Sequence, residues 1–279
     1  MKKIIALIVS LLLVISLSAC GNTAEKLKVK AISLTEESYA FAIAKENDEL
    51  KSVVDAYLAE IIENGELENI INSFFNGEST FEFTNPSSKD GCFVVATNAY
   101  FPPFEYYKGN KLTGIDIQLA YNIARLLNKP LYVEDMDFLA VIPSVQNGNC
   151  DIAMAGLTIN EERLNQVDFS IPYYESSQVI IVKESDTTYD NCTTAEEIES
   201  ILASKSIDYK VGAQNGTTGY MYAKGDDGFG YEGFSNLTTL SFSTGSLAVR
   251  DLSNGKIDAV IIDLKPAIAI VEAVNAGIK

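Results

Sequence analysis

The stretch CDIAMAGLTINEER, residues 150–163, reads as a strand that leads through a polar turn toward a short helix. Its first part, CDIAMAG, is a short apolar run of strand length. The part that follows, INEERLNQ at residues 159–166, is typical of a single helical turn. Similar pairs of strand and helix recur from Cys92 onward, and such alternation is typical of parallel sheets covered by helices.

The alternation runs twice, over residues 92–182 and 209–279. Each run has about the size of a small domain. Both contain a Gly and then an Asp before an apolar strand, in NGNCDIAMAG and NGKIDAVIID. We therefore predict an α/β protein of two lobes with mainly parallel sheets. We expect a hinge in two crossing segments, near residues 173–179 and near residues 35–39.

The bulk composition excludes several function classes. The chain of 279 residues has a formal net charge of −17, which argues against binding to nucleic acid, because that needs faces rich in Lys and Arg. It contains no His, which removes His-dependent catalysis and most zinc sites. We expect no catalytic residues, no metal and no cofactor.

The N-terminus has the pattern of an export signal. Two lysines precede an apolar run at residues 4–17, which is too short for a comfortable membrane span. The sequence Leu-Ser-Ala-Cys before Gly21 resembles a bacterial lipobox, in which Cys20 becomes the lipidated first residue. An ordinary signal peptide with a chance Cys is the alternative. We predict a lipoprotein signal peptide at 1–19, a tether at 20–26, and anchorage to the outer face of the cell membrane or a periplasmic location.

Three further cysteines leave the disulfide question open. Cys92 and Cys150 each begin an apolar strand, so their sulfur atoms could meet if those strands are neighbours. An exported protein permits a disulfide, but two buried free thiols fit equally well. Cys192 stands alone in a polar loop, which argues against a framework built on disulfides.

Ligands of open α/β sheets bind beyond the carboxyl ends of the strands. Arg163 follows one strand end, where its guanidinium could bind a carboxylate through two parallel hydrogen bonds. Asp263 follows another and would bind an ammonium group, helped by the hydroxyl of Thr158. A zwitterionic α-amino acid satisfies both charges. The candidate ligand-binding residues at strand ends are Asn98, Phe101, Phe138, Ala155, Gly156, Thr158, Arg163, Gln214, Thr217, Thr218 and Asp263.

Each candidate also fits a plainer interpretation. Arg163 could be a surface charge, as we expect for Arg125 and Arg250 on amphipathic helices. Asp263 could cap the helix that follows it, since Asp favours that position. The two threonines could cap a helix in the same way, and the two phenylalanines could belong to the core.

Longer stretches of the chain resemble one known family. Residues 97–128 and 136–183 are similar to bacterial ABC-transporter solute-binding proteins for polar amino acids, which have the type 2 periplasmic-binding-protein fold. The most specific elements are GLTINEER and VDFSIPYY. VGAQNGTTG and NGKIDAVIIDLKPA match the second lobe of that family.

The resemblance implies a role for each candidate. Arg163 would bind the ligand carboxylate, Asp263 the α-ammonium group, and Thr158 both ends of the ligand. The residues implied to line the remaining pocket are Ala155, Gly156, Phe101, Phe138, Gly216, Thr217 and Thr218. Several relatives have an Asp where this chain has Asn98, and a Lys or another polar residue where it has Gln214. Since neither position is charged here, a neutral polar ligand is favoured.

The function implied is that of an extracytoplasmic, lipid-anchored receptor. It would bind an α-amino acid as a monomer and deliver it to an ABC permease in the membrane. One alternative is a ligand-sensing receptor for a signalling partner. Another is an enzyme similar to cyclohexadienyl or arogenate dehydratases, which needs a general acid in the cleft; Glu161 and Glu162 are expected to face solvent instead.

The order of the segments differs from that of the family. ELKSVVDAYLAEIIENGELENIINSFF, residues 49–75, reads as two helices joined at Asn64-Gly65. In the family a return strand and such a helical pair complete lobe 1 at the end, whereas here they come first. We predict a circular permutant, with 27–38 and 180–279 in lobe 2, 39–75 and 91–179 in lobe 1, and 76–90 linking the family's usual termini. A truncated chain with an unrelated helical extension is the alternative.

Overall fold

The computed structural model describes residues 24–278. The predicted signal peptide at 1–19 and the predicted lipidation site Cys20 lie outside the described residues. None of the described helices is both long enough and apolar enough to cross a membrane.

Strands and helices alternate along the described chain. The strands are β1 (Leu27–Lys30), β2 (Glu37–Tyr39), β3 (Ala42–Ile43), β4 (Phe93–Thr97), β5 (Tyr100–Phe101), β6 (Glu105–Lys108), β7 (Lys111–Thr113), β8 (Leu131–Asp135), β9 (Ile152–Ala153), β10 (Asp168–Phe169), β11 (Tyr174–Ser176), β12 (Gln178–Lys183), β13 (Lys210–Gln214), β14 (Thr238–Phe242) and β15 (Ala259–Asp263). The helices are α1 (Asp48–Glu63), α2 (Glu66–Phe75), α3 (Ile115–Leu126), α4 (Phe138–Gln146), α5 (Glu161–Leu164), α6 (Ala195–Ala203), α7 (Thr218–Lys224), α8 (Gly245–Ser253) and α9 (Leu264–Gly277).

Two five-stranded sheets divide the molecule. We call lobe 1 the part built on the sheet β10-β3-β9-β4-β8, and lobe 2 the part built on β1-β12-β15-β13-β14. The prediction of a two-lobed α/β protein is confirmed. The sheets, however, are mixed rather than mainly parallel. Reading each order from left to right, the first two pairings are antiparallel and the last two are parallel. The antiparallel half arises because strands that cross between the lobes enter each sheet in the opposite direction.

A two-stranded ribbon joins the lobes. β2 and β11 pair antiparallel, with Tyr174 opposite Tyr39 and Ser176 opposite Glu37. Along the chain β2 lies between a strand of lobe 2 and a strand of lobe 1, and β11 makes the reverse crossing. Within the described chain, these two crossings are the only places where the chain passes from one sheet to the other. The ribbon is therefore the natural hinge.

The segment of residues 27–75 contributes to both lobes. β1 is an edge strand of lobe 2, with Leu27 opposite Lys183, and Glu25 just before it donates a backbone hydrogen bond to the carbonyl oxygen of Ser253 at 2.9 Å. β3 lies inside the lobe 1 sheet, between β10 and β9. The spacing of apolar residues in α1 and α2 gives each helix one buried face, formed by Leu50, Val54, Leu58, Ile61, Leu67, Ile70 and Phe74.

Residues 76–90 are held against lobe 1. Phe83 and Leu112 exchange two backbone hydrogen bonds of 2.7 and 2.9 Å, so this segment extends the hairpin of β6 and β7. The side-chain amide of Asn85 bonds both backbone groups of Val133 at 2.8 Å. The segment that the sequence predicts to be a linker therefore packs along its lobe.

The cysteines of the described chain form no disulfide. Cys92, Cys150 and Cys192 are free and buried. Of the two alternatives left open by the sequence, the structure has the buried thiols.

Candidate ligand-binding site

A small cavity lies between the lobes, lined by residues of both. All eleven candidate residues at strand ends line it, together with Glu105, which was not predicted. Gly216, which the resemblance also implied, lines a neighbouring cavity instead. The lining is Asn98, Phe101, Glu105, Phe138, Ala155, Gly156, Thr158, Arg163, Gln214, Thr217, Thr218 and Asp263. That these residues bind a ligand stays a prediction.

The sheets position this cavity. β4 ends at Thr97, just before Asn98, while β13 ends at Gln214 and β15 ends at Asp263. The carboxyl ends of these strands face the gap between the lobes, which is where open α/β sheets bind ligands.

Arg163 lies on α5 and is buried, with 5% of its surface exposed. The surface-charge interpretation is therefore wrong for Arg163, whereas Arg125 and Arg250 are exposed as expected. Its Nη1 donates to the carbonyl oxygen of Thr158 at 2.8 Å, and its Nη2 donates to that of Gly216 at 3.2 Å. Burial lowers the pKa of Arg163 to about 10, so the guanidinium stays charged at neutral pH. Its remaining N–H groups are available to a carboxylate.

Asp263 is the last residue of β15 and occupies the N-cap position of α9, but its side chain makes no capping hydrogen bond. Its Oδ1 instead accepts hydrogen bonds from the Tyr39 hydroxyl and from Ser176 Oγ. Burial, and next the negative charge of Glu37, raise the pKa of Asp263 to about 7. A cationic group placed beside this carboxylate would favour its charged form.

Thr158 is prepared to accept a hydrogen bond. Its Oγ1 donates to Glu37 Oε2 at 2.6 Å, and Thr218 Oγ1 donates to it at 3.1 Å. Because its own hydrogen points to Glu37, the oxygen can serve an additional partner only as an acceptor, which suits an ammonium group. Glu37 also accepts from Thr35 Oγ1 at 2.6 Å and from Gln178 Nε2 at 2.9 Å. Glu37 was not predicted from the sequence, although its place in a predicted crossing segment was a usable signal.

Glu105 is the second residue of the site that was not predicted from the sequence. It is 1% exposed, and its Oε2 has no hydrogen-bond partner among the described atoms. Burial and the adjacent Asp116 raise the pKa of Glu105 well above its usual range. Burial also raises the pKa of Asp116 to about 6, although Tyr173 and the backbone N–H of Gly156 donate to it at 2.6 and 3.0 Å. The sequence feature that could have indicated Glu105 is its position as the single acid within the aromatic stretch FPPFEYY.

Two uncharged amides close one part of the cavity. Gln214 Nε2 donates to Asn98 Oδ1 at 2.8 Å across the lobes. Asn98 Nδ2 donates to the carbonyl oxygen of Met136 at 2.7 Å, and Gln214 Oε1 accepts from the backbone N–H of Gly245 at 3.2 Å. The amides thus bond one another and the backbone.

The remaining lining residues shape the walls. Phe101 is 9% exposed and lies against Gly156, where an added Cβ would be 2.8 Å from the phenyl ring. Gly156 also has a φ of +54°, so the backbone there favours glycine. Thr217 occupies the N-cap position of α7 without a side-chain cap and donates to the carbonyl oxygen of Gln214 at 2.8 Å. The capping interpretation therefore does not describe its side chain.

Several known proteins are similar to this chain in sequence. The chain is 30% identical to a probable histidine-binding protein of Neisseria gonorrhoeae over 182 residues. This alignment covers 64% of this chain and 61% of the relative. The match therefore spans less than two thirds of that relative's length.

Solved structures show the same architecture. The holo arginine-binding protein ArgBP of T. maritima is 33% identical with a TM-score of 0.56, covering 67% of this chain and 75% of that one. An ancestral arginine-binding protein bound to glutamine is 36% identical with a TM-score of 0.55, covering 67% and 76%. The sequence model of one family matches residues 93–265, which include every residue lining the cavity. The chain belongs to the bacterial extracellular solute-binding proteins, family 3.

Proposed function

We propose that this protein is an extracytoplasmic receptor that binds a free α-amino acid between its lobes and delivers it to the permease of an ABC importer. The observation that carries the proposal is a pair of opposite charges, Arg163 in lobe 1 and Asp263 in lobe 2, both buried at one cavity. The carboxylate and ammonium groups of an amino acid would satisfy both charges. Names of relatives that bind histidine or arginine support the same class of ligand.

The binding step follows from how the lobes meet. Among the described residues outside the β2–β11 ribbon, hydrogen bonds cross the cleft from Arg163 to Gly216, from Thr218 to Thr158, and from Gln214 to Asn98. We infer that the ligand first binds lobe 1 through the guanidinium and Thr158, and that lobe 2 then closes over it about the β2–β11 ribbon. Hinge closure of this kind is a common response of two-lobed binding proteins to ligands.

The side chain of the ligand is a finer part of the proposal. The neutral amides of Asn98 and Gln214 favour a neutral polar amino acid, of which glutamine is the first to test. Glu105 favours a different candidate, because it is a buried carboxyl group at the cavity and a cation placed beside it would favour its ionised form. A cationic side chain such as that of arginine would use it most fully, so arginine is the second ligand to test.

A thermal-shift screen of the twenty amino acids tests the proposal. A ligand at one hundred times its Kd stabilises the folded state by about 2.7 kcal/mol. We expect at least one polar α-amino acid to raise the melting temperature, and its decarboxylated amine to have no effect. The absence of a shift with every amino acid, together with a shift by a sugar, would reject the proposal.

The enzymatic alternative has one specific observation in its favour. Glu161 and Glu162 are exposed, but Glu105 is a buried carboxyl group at the cavity whose raised pKa keeps a proton available. We nevertheless propose a binding protein without catalysis. Incubation with arogenate or prephenate separates the two: formation of the dehydrated product, lost in Glu105→Gln, would identify an enzyme. The sensor alternative predicts amino-acid binding without transport. Amino-acid uptake is therefore measured in cells that lack the gene for this protein, and unchanged uptake would favour the sensor.

Export and anchorage are also proposals. We propose that residues 1–19 are cleaved as a lipoprotein signal peptide and that a lipid on Cys20 holds the protein at the outer face of the cell membrane. Metabolic labelling with a radioactive fatty acid should mark the protein, and Cys20→Ser should abolish the label. A labelled serine variant would contradict the assignment.

We further propose that the chain is a circular permutant with the domain bounds given above. Support comes from Asn275 near the end of α9, whose side chain bonds both backbone groups of Leu27 at 2.9 and 2.8 Å. The last turn of α9 therefore lies beside the start of β1. A rearranged chain that runs 91–279 and then 27–75 should fold and bind the same amino acid, whereas deletion of 27–75 should prevent folding. A stable, ligand-binding product of the deletion would reject the permutation.

A further inference from the structure

A compact loop follows α7 in lobe 2, and we call residues 225–234 the aromatic loop. Its two ends are in close contact, since an added Cβ on Gly233 would lie 2.2 Å from the backbone nitrogen of Gly225. Asp226 and Tyr231 exchange backbone hydrogen bonds of 2.8 and 3.0 Å. The loop is therefore a defined turn with a fixed base.

Aromatic packing anchors this base to lobe 2. The rings of Tyr231 and Phe234 contact the ring of Tyr222 edge to face, with centroids 5.4 and 5.8 Å apart. Tyr222 lies on α7 and is buried in the core beside the lobe 2 sheet. The backbone N–H of Phe234 also donates to the carbonyl oxygen of Ala223 at 3.0 Å. The aromatic loop thus moves with lobe 2.

The tip of the loop reaches across to lobe 1. The Cζ atom of Arg163 lies 5.4 Å from the centroid of the Phe229 ring and 5.6 Å from that of Phe138. Gly228 is next to Glu162, because an added Cβ there would be 3.2 Å from Glu162 Oε2. The guanidinium is therefore flanked by two rings, one from each lobe.

Phe229 is not among the residues that line the ligand cavity, although Arg163 is. Its ring lies on Arg163 in a neighbouring cavity, lined also by Leu139 and Met221. It therefore acts on the ligand through the guanidinium rather than by contact. A ring at this distance stabilises a cation through its π-electrons and keeps water away from it, which strengthens the electrostatic bond that the cation makes elsewhere.

We propose that Phe229 is a positioning residue that fixes the carboxylate-binding guanidinium when the lobes close and thereby slows release of the ligand. This rests on the proposed function, in which Arg163 binds the carboxylate of an amino acid. Since the ring belongs to lobe 2 and the guanidinium to lobe 1, the contact forms on closure and breaks on opening. It therefore affects the dissociation rate and leaves the first encounter unchanged.

The kinetic test compares variants of the aromatic loop by stopped flow, with the amino acid that gives the largest thermal shift. Phe229→Ala should raise the dissociation rate roughly 3- to 30-fold, the range of a cation–π contact, with an unchanged association rate. Phe229→Tyr keeps a ring and should restore slow dissociation. Asp227→Ala, an exposed position in the same loop, should behave as the natural protein does. An unchanged dissociation rate in Phe229→Ala would overturn the proposal while leaving amino-acid binding intact.

A second measurement follows the position of the loop by fluorescence. The chain has no Trp, so Phe229→Trp introduces a single indole at the tip of the loop. In the closed form its emission should be protected from acrylamide. An indole that is fully exposed with and without amino acid would overturn the contact. If no amino acid shifts the melting temperature of the natural protein, the proposed function fails, whereas an exposed indole beside a normal thermal shift rejects the contact of Phe229 alone.

Discussion

The two lobes use one sheet pattern to present opposite charges. In lobe 2, Asp263 is itself the last residue of the inner strand β15 and stands opposite Gln178 in the sheet. In lobe 1 the corresponding inner strand β9 ends at Ala153, and the charge comes from Arg163 on a separate short helix. The carboxylate is therefore positioned by the backbone of a sheet, whereas the guanidinium is positioned by the neighbours of a long side chain.

This difference has an electrostatic counterpart. The pKa of Asp263 is raised to about 7 by burial and by Glu37, so its charge is costly in the empty protein. The pKa of Arg163 is lowered by burial only to about 10, so its charge persists. Lobe 1 should therefore supply a charge that is present at every physiological pH. The charge in lobe 2 should depend on the pH and on a bound cationic group. The predictions below test this contrast, from the largest effect to the smallest.

Arg163→Ala should abolish amino-acid binding, because it leaves the ligand carboxylate buried without a partner. A loss of this kind costs about 3–5 kcal/mol, which is more than a hundredfold in Kd. Isothermal titration calorimetry measures it, with the exposed Arg125→Ala as the matched control. Affinity that stays within threefold of the natural value would refute the carboxylate assignment.

Asp263→Asn should weaken binding less, by roughly 10- to 100-fold, which corresponds to a charged hydrogen bond of about 1.5–3 kcal/mol. The same change should raise the melting temperature of the empty protein at pH 8, because it removes a buried negative charge. At pH 4 the aspartate is protonated in the folded protein, and the two melting temperatures should converge. Differential scanning calorimetry decides this, and a variant less stable at pH 8 would contradict it.

The pH dependence should separate the lobes further. A folded-state pKa above the unfolded value makes a carboxyl group stabilise the fold at low pH and lose that effect as the pH rises. For Asp263 the window runs from about pH 4 to about pH 7, so the stability of the empty protein should fall across it. Binding of an ammonium group needs the carboxylate, so the affinity should fall up to roughly tenfold between pH 7 and pH 6. Affinity that increases on acidification would contradict this assignment.

Glu37→Gln should have the smallest effect, about fivefold weaker binding, the loss of roughly one hydrogen bond. The new amide can donate to Thr158 Oγ1 and would compete with the ammonium group for that oxygen. The affinity should be measured at pH 8, where Asp263 is charged in both the natural protein and the Glu37→Gln variant. The neighbouring Glu36 is exposed, so Glu36→Gln is the matched control, and equal effects in the two variants would remove Glu37 from the site.

Most residues of this site could be predicted from the sequence because they follow predicted strands, and the carboxyl ends of parallel strands lie at one edge of a sheet. Asn98, Gln214 and Asp263 follow from that rule alone. Glu105 escaped it, since it begins β6 in a hairpin within a stretch read as a loop. Glu37 was not predicted because its role in the site depends on a hydrogen bond from Thr158, which is 121 residues away. In a chain with many acidic residues, nothing local distinguishes a buried carboxyl group from one at the surface.

The aromatic loop was equally hidden. Its stretch GDDGFGYEGFSN is rich in glycine and polar residues and indicates a surface turn. Only the packing of Tyr231 and Phe234 on Tyr222 shows that the turn is fixed and that Phe229 reaches the other lobe. The mixed character of the sheets was missed for a related reason: direction in a crossing strand is set by its partners rather than by its own residues.

The edge strand β1 has a mechanical consequence. Glu25 is bonded through its backbone to Ser253 and through its carboxylate to Lys183 at 3.0 Å, and β1 itself runs antiparallel to β12. Tension applied through the residues before Glu25 would therefore load lobe 2 in shear along a row of sheet hydrogen bonds, while lobe 1 carries no load and is free to swing. Whatever holds the protein by that end would keep Asp263 stationary and let Arg163 travel.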